Sequence, residues 1–63
     1  MRIRNGDEVA IFNNPITSRG IEGAAIVLEC YGYKHPRDEH VRLYKITFVN
    51  SNSVADRWIK DIN

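Results

Sequence analysis

The residues of this chain that are best suited to chemistry stand close together, and they are Cys30, His35, Asp38 and His40. Thiolate, imidazole and carboxylate groups are common ligands of zinc, and a cysteine beside a histidine is a minimal unit of nucleophilic catalysis. The spacing does not fit a zinc finger, because there is no second cysteine pair and no His-x₃₋₅-His unit on a helix. A 63-residue chain also has little room for the substrate cleft that a catalytic cysteine needs. Cys30 lies inside an apolar run that includes Ile26 and Leu28, so we expect a buried and inert thiol. The sequence therefore predicts no enzyme activity, no catalytic residue, no metal ligand and no cofactor.

A second set of candidates combines basic and aromatic side chains. Neighbouring strands can bring four such residues onto one surface: Arg42, Lys45, Arg57 and Trp58. Cationic groups beside an aromatic ring can contact phosphates and stack on bases. Acidic residues are interleaved with the basic ones along the chain, and ion pairs across a solvated sheet face are the commoner outcome. Nucleic-acid binding therefore stands as an alternative.

Composition limits the classes of protein to which this chain can belong. Its 63 residues allow one domain, spanning residues 1–63, with a single small core. The formal net charge of +1 gives no strong attraction to nucleic acid or to a membrane surface. One cysteine excludes an internal disulfide and favours a reducing compartment. Because no apolar run is long enough for a signal peptide or a membrane span, we expect a cytoplasmic protein with no membrane partner.

The elements that must position these residues are predicted to be strands. No window shows a helical period, whereas β-branched and aromatic residues concentrate in four runs. These runs are residues 7–12, 24–31, 41–49 and 54–59. A small antiparallel sheet must close or stack to bury its apolar face, and four or five short strands do so best as a bent barrel. We therefore predict an all-β fold: a single small barrel of four to five antiparallel strands.

The segments between the runs are predicted from their turn-forming residues. Asn13-Asn14-Pro15 ends the first run, so residues 13–22 are expected to form a loop long enough to carry function. Residues 32–39 are expected to form a polar turn, and residues 50–53 a tight turn between strands. Residues 60–63 can add one turn of 3₁₀ helix and a short closing strand.

Alternation within the runs predicts the core. In the third run, Tyr44, Ile46 and Phe48 share one face. The full predicted core is Val9, Ile11, Ala25, Val27, Tyr44, Ile46, Phe48 and Ile59. For the second run the opposite register, with Ile26, Leu28 and Cys30 inside, is nearly as favourable, and a one-residue bulge would satisfy part of both.

Glycines and alternating apolar residues give the chain a family resemblance. The first two runs read Gly6-Asp7-x-Val9-x-Ile11 and Gly20-x-x-Gly23-x-Ala25-x-Val27, and the last two read Tyr44-x-Ile46-x-Phe48, a polar turn and Trp58. This pattern resembles small SH3-like barrels of the KOW and Tudor type. The resemblance implies a binding domain, because such barrels bind RNA, methylated side chains or protein partners. A Tudor-like aromatic cage would use Tyr31 and Tyr33 near Asp38 or Glu39.

The leading functional expectation is a non-enzymatic interaction module that binds a protein partner or associates with copies of itself. We predict that the loop of residues 13–22 carries the contact through Ile16, Arg19 and Ile21, because exposed isoleucines are costly in water and arginine is a frequent anchor. The alternative is a KOW-type barrel that binds RNA or DNA through Arg42, Lys45, Arg57 and Trp58. A docking subunit of a redox complex is a third possibility. The small size is typical of phage and mobile-element accessory proteins.

Overall fold

Four antiparallel strands build the chain in a computed structural model that describes residues 3–61. They are β1 (Glu8–Asn14), β2 (Arg19–His35), β3 (Asp38–Phe48) and β4 (Val54–Lys60). The strands follow one another in the sheet in the order β1-β2-β3-β4, and the sheet curls into a half-barrel. The predicted all-β, barrel-like fold class is confirmed. Residues 3–61 contain no helix of the length and apolar character that a membrane crossing requires.

The hairpin of β3 and β4 is the regular part of the sheet. Its register runs without a shift from Val41↔Lys60 to Thr47↔Val54. Asn52 closes the turn with a positive φ of 55°, and its N–H donates to the carbonyl of Phe48 at 2.8 Å. Asparagine tolerates this left-handed conformation better than most residues, so the polar turn fixes the register. The sequence-based prediction of alternating strands joined by a tight turn is confirmed here.

The connection between β1 and β2 differs from the sequence-based prediction. Residues 13–22 do not form a long loop, because only residues 15–18 join the two strands. The Asn14 side chain accepts backbone N–H groups from Ile16 and Thr17 at 3.1 and 3.2 Å, and Ser18 has a φ of 57°. Asparagine and proline therefore make a short turn, and the ladder resumes directly after it.

Strand β2 is longer than predicted and is interrupted by bulges. Its 17 residues continue to His35, so the turn predicted over residues 32–39 shrinks to the pair between β2 and β3. The pairing with β3 shifts at Leu28 and again between Cys30 and Lys34. Extra residues in one strand bend it and increase its twist. These irregularities let one strand follow the curl of the half-barrel.

The core lies on the inner face of the curl. Its buried cluster is Ile11, Ala25, Val27, Tyr44, Ile46 and Ile59, with Val9 and Phe48 half-buried against it. The predicted core is therefore confirmed, with Val41 as a buried addition that was not predicted.

The opposite register for β2 is wrong. The side chains of Ala25 and Val27 face the core, and the bulge at Leu28 comes only after them. Leu28 and Cys30 are exposed. The expectation of a buried Cys30 thiol is wrong for the same reason.

Candidate functional site at the seam of the half-barrel

The two edge strands of the curled sheet face each other across a groove. In residues 3–61, β1 pairs only with β2 and β4 pairs only with β3. The space between them measures about 440 Å³, and we call it the seam groove. Its apolar wall comes from both edges and includes Val9, Ala10, Phe12, Trp58 and Ile59. A concave, largely apolar opening between unpaired strand edges is a typical binding surface.

The charged groups along the seam groove are mostly acidic. Asp7, Glu8 and Asp61 line it, and Lys60 is the single basic residue among the lining residues that the structure describes. Lys60 is already engaged, because its ammonium group donates to the Ile16 carbonyl at 3.2 Å and lies 3.3 Å from an Asp38 carboxylate oxygen. The groove therefore presents more negative than positive charge to a ligand.

Asp61 is the least satisfied polar group at this site. Its side chain is only 8% exposed, and its Oδ1 accepts no hydrogen bond from any group in residues 3–61. Its Oδ2 lies 4.0 Å from Arg42 Nη1, which is beyond hydrogen-bonding distance. The backbone is held firmly, since the Asp61 N–H donates to the His40 carbonyl at 2.7 Å. A buried carboxylate is thus fixed in place, and one of its oxygens has no hydrogen-bond donor within residues 3–61.

Lys60 ties the turn after β1 to the end of β4. Its contact with the Ile16 carbonyl joins residues 44 positions apart. Its second partner, Asp38, has a pKa lowered first by the hydrogen bond from the His40 backbone N–H and then by Lys60. The Asp38 carboxylate therefore stays charged and holds the ammonium at this position.

A second cross-link closes the curl on the inner face. Arg57 donates from Nε and Nη2 to both oxygens of Glu22 at 2.9 and 2.8 Å. This hydrogen bonding lowers the pKa of Glu22 and raises that of Arg57, against the opposing effect of desolvation. The guanidinium also lies 5.6 Å from the centre of the Phe48 ring. Two parallel charge-assisted hydrogen bonds fix orientation as well as distance, so this pair is a structural clasp.

The predicted partner-binding residues do not belong to a loop. Ile16 is half-buried in the short turn, Arg19 begins β2, and Ile21 lies within β2 opposite Phe12. Ile21 is 72% exposed, so the expectation of an uncovered isoleucine holds for that residue. Ile16 contributes its carbonyl to Lys60 and lies near the seam groove rather than on a separate binding loop.

The four residues of the nucleic-acid alternative lie on two different faces. Arg42 and Arg57 pair across the strands with core residues, whereas Lys45 and Trp58 belong to the alternating outer positions. Arg57 is neutralised by Glu22, and Lys45 lies opposite Asp56. Trp58 packs edge-on against His35, with ring centres 5.0 Å apart. The structure therefore does not assemble these four residues into one surface.

The residues that suggested a metal site and those that suggested an aromatic cage are also dispersed. Within residues 3–61 no three histidine, cysteine or acidic side chains come together as a metal site would require. Tyr31 donates to Asp56 at 2.8 Å, and that hydrogen bond raises its pKa. Tyr33 is 65% exposed. Of the two acids named for the cage, Asp38 and Glu39, Asp38 is bound to Lys60 instead.

Sequence reasoning did not identify Asp61, Glu22 or the seam groove. Asp61 follows the last strand in a polar segment, and only the tertiary curl buries it. Glu22 stands in the segment that was predicted to be a loop, where it forms the bulge opposite β1. The one available signal was an acidic residue two positions after the apolar Ile59, which is the spacing that returns to the inner face of a strand.

Comparison of the chain with family models, curated proteins and solved structures gives no match. The geometry of the seam groove is therefore the basis for a functional proposal.

Proposed function

We propose that this chain is a non-enzymatic protein-interaction module and that its binding surface is the seam groove between β1 and β4. One observation carries the proposal: the half-barrel leaves two edge strands facing each other across an apolar opening of about 440 Å³. Edge strands offer unpaired backbone groups to an added strand, and apolar pockets beside them select side chains. We place the module in the cytoplasm, in keeping with its single free thiol.

A segment of another protein suits this surface better than a nucleic acid does. The charges that line the groove are mainly negative and would repel phosphates. On the inner face, the charge of Arg57 is neutralised by its ion pair with Glu22. A polyanion would need basic groups gathered on one side, and here they are divided between two faces.

A library of random peptides displayed on phage and selected on the immobilised protein tests this proposal. Ala10→Gln fills part of the groove with a neutral side chain, while Ala24→Gln makes the same change at its paired neighbour on β2. Both alanines are exposed, so both variants should fold. Selected peptides should bind Ala24→Gln like the wild type and Ala10→Gln at least about fivefold more weakly.

Three kinds of outcome would count against a groove that binds a segment of another protein. Failure to enrich any peptide, or equal binding to both variants, would contradict the assignment. Concentration-dependent dimerisation that only Ala10→Gln abolishes would assign the groove to a second copy of the chain. Binding of single-stranded RNA that falls steeply with salt and is lost in Lys45→Gln would favour the nucleic-acid alternative.

A further inference from the structure

We infer that the seam groove selects a lysine or arginine side chain of the bound segment and that Asp61 pairs with that cation. The inference rests on the proposed function and adds the chemistry of the partner to it. It starts from a carboxylate that is more than nine-tenths buried and whose Oδ1 accepts no hydrogen bond from residues 3–61.

The state of Asp61 calls for a donor from outside the described fold. Burying a charged carboxylate is costly unless it is paired and hydrogen-bonded. Arg42 at 4.0 Å compensates the charge only partly and leaves Oδ1 without a donor. Rotation about the Cβ–Cγ bond exchanges the two oxygens, so the unused capacity belongs to the whole group. A cationic donor arriving through the groove would satisfy it.

The other charges that line the groove also favour a positively charged ligand. Asp7 and Glu8 stand on the β1 side and Asp61 on the β4 side. Lys60 cannot neutralise all three, because Asp38 and the Ile16 carbonyl already hold its ammonium group. A positive side chain entering between the two edges is therefore attracted from both walls.

The walls indicate what kind of cation fits. Val9, Phe12 and Ile59 offer apolar surface on the way to Asp61, and Trp58 adds an aromatic ring. Lysine and arginine carry aliphatic stems that pack on apolar surface while the charged head reaches a partner. A tryptophan ring also attracts such heads through its π face. A hydrated metal ion would find few oxygen ligands here.

The edge strands indicate how the side chain would be presented. An extended segment that pairs with the free edge of β1 or β4 directs alternate side chains to one side. One of them can then enter the groove while the backbone forms ladder hydrogen bonds. Asp61 continues β4 by one residue through its hydrogen bond to His40, so it lies where such a ladder ends.

The random-peptide selection also tests this inference when it is run in parallel on wild type, Asp61→Asn and Asp56→Asn. Asp56 is a matched control, because it lies on β4, the strand that Asp61 follows, is exposed and does not line the groove. Peptides selected on the wild type should share a lysine or arginine at one fixed position. They should bind Asp61→Asn about 10- to 100-fold more weakly and Asp56→Asn within about twofold.

The results distinguish failure of this inference from failure of the proposed function. Enriched peptides that lack a fixed basic residue, or that lose affinity equally on both variants, would overturn the role of Asp61 and leave the groove as the binding surface. No enrichment on the wild type would overturn the proposed function itself. Circular dichroism confirms that each variant is folded.

Discussion

Two arginine–carboxylate pairs lie on the inner side of the half-barrel, and they differ in how fully the acid is satisfied. In the Glu22–Arg57 clasp both oxygens accept hydrogen bonds, at 2.8 and 2.9 Å. In the Asp61–Arg42 pair the distance is 4.0 Å and one oxygen accepts nothing from residues 3–61. Yet Asp61 is the more buried acid, with a side chain 8% exposed against 32% for Glu22.

This difference indicates two roles: the Glu22–Arg57 pair stabilises the fold, and Asp61 is the acid that we assign to ligand binding. Stability alone favours the better hydrogen bonding at the more buried carboxylate, because that is where an unmet acceptor costs most. The chain does the reverse. The clasp joins β2 to β4 and holds the curl, whereas Asp61 lies beside a groove and its Oδ1 has no donor among residues 3–61. Substitutions should therefore differ widely in effect, from a core change that removes both pairs to one that only shifts the pKa of a tyrosine.

Ile46→Ala should have the largest effect. Ile46 is fully buried on β3, and removing its side chain leaves a cavity that costs about 2–5 kcal/mol of unfolding free energy. For a domain of this size that is a large part of the total, so both pairs should be lost with the fold. Thr47→Ala, at the neighbouring outer position, should cost less than about 1 kcal/mol. Urea denaturation compares the two, and similar losses would mean that the inner face has been misassigned.

The β3–β4 hairpin shows how much of this fold is predictable from the sequence. Strict alternation at Tyr44 and Ile46, followed by a polar turn, specifies both the face and the register, and the structure agrees. The β1–β2 region was predicted less well, because Asn14 and Pro15 are typical both of long loops and of tight turns. Local sequence cannot distinguish these two outcomes. Only pairing across the sheet shows that the ladder resumes after Ser18.

The candidate site was beyond prediction for a related reason. Burial of Asp61 and the seam itself arise from the curl of the whole sheet, which depends on bulges in β2. A bulge at Leu28 changes which side chains point inward, and no distinctive residue type marks its position in the sequence. Arg57 was named only as a nucleic-acid contact of the alternative function, and its partner Glu22 lay in a segment predicted to be a loop. Pair contacts across 35 positions cannot be read from spacing alone.

Glu22→Gln should have the next largest effect, because it removes the charge from the clasp. The pair is partly exposed, so we expect a loss of about 0.5–1 kcal/mol at neutral pH. The folded-state pKa of Glu22 lies below its ordinary value of 4.5, so the stabilisation is present above that pH and is lost as the pH falls through the lowered pKa. Thermal melting across this acid range should show a flatter profile for the variant. Glu29→Gln, at an exposed position on the same strand, should retain the wild-type profile.

Asp61→Asn should change stability by less than about 0.5 kcal/mol at neutral pH, although Asp61 is the more buried residue. The substitution removes a poorly compensated charge and keeps the shape, so the lost attraction to Arg42 is offset by a lower desolvation cost. Urea denaturation of this variant beside Glu22→Gln makes the comparison direct. A loss greater than that of Glu22→Gln would show that Asp61 supports the fold, and the contrast between the two pairs would fail.

The smallest expected effect is on the ionisation of Tyr44, which reports the charge of Asp61 from within the core. Burial raises the pKa of Tyr44 to about 12, with smaller contributions from Cys30 and from Asp61. Because the folded-state value lies above the ordinary value of 10.0, the protein should lose stability as the pH rises from about 10 towards 12, and Tyr44→Phe should remove that loss.

Asp61→Asn should lower the Tyr44 pKa slightly, since one nearby negative charge disappears. Ultraviolet titration of the phenolate, with Tyr44→Phe to assign the signal, measures this shift. An unchanged Tyr44 pKa would contradict an influence of the Asp61 side chain on the core, and with it the contrast drawn here between the two arginine–carboxylate pairs.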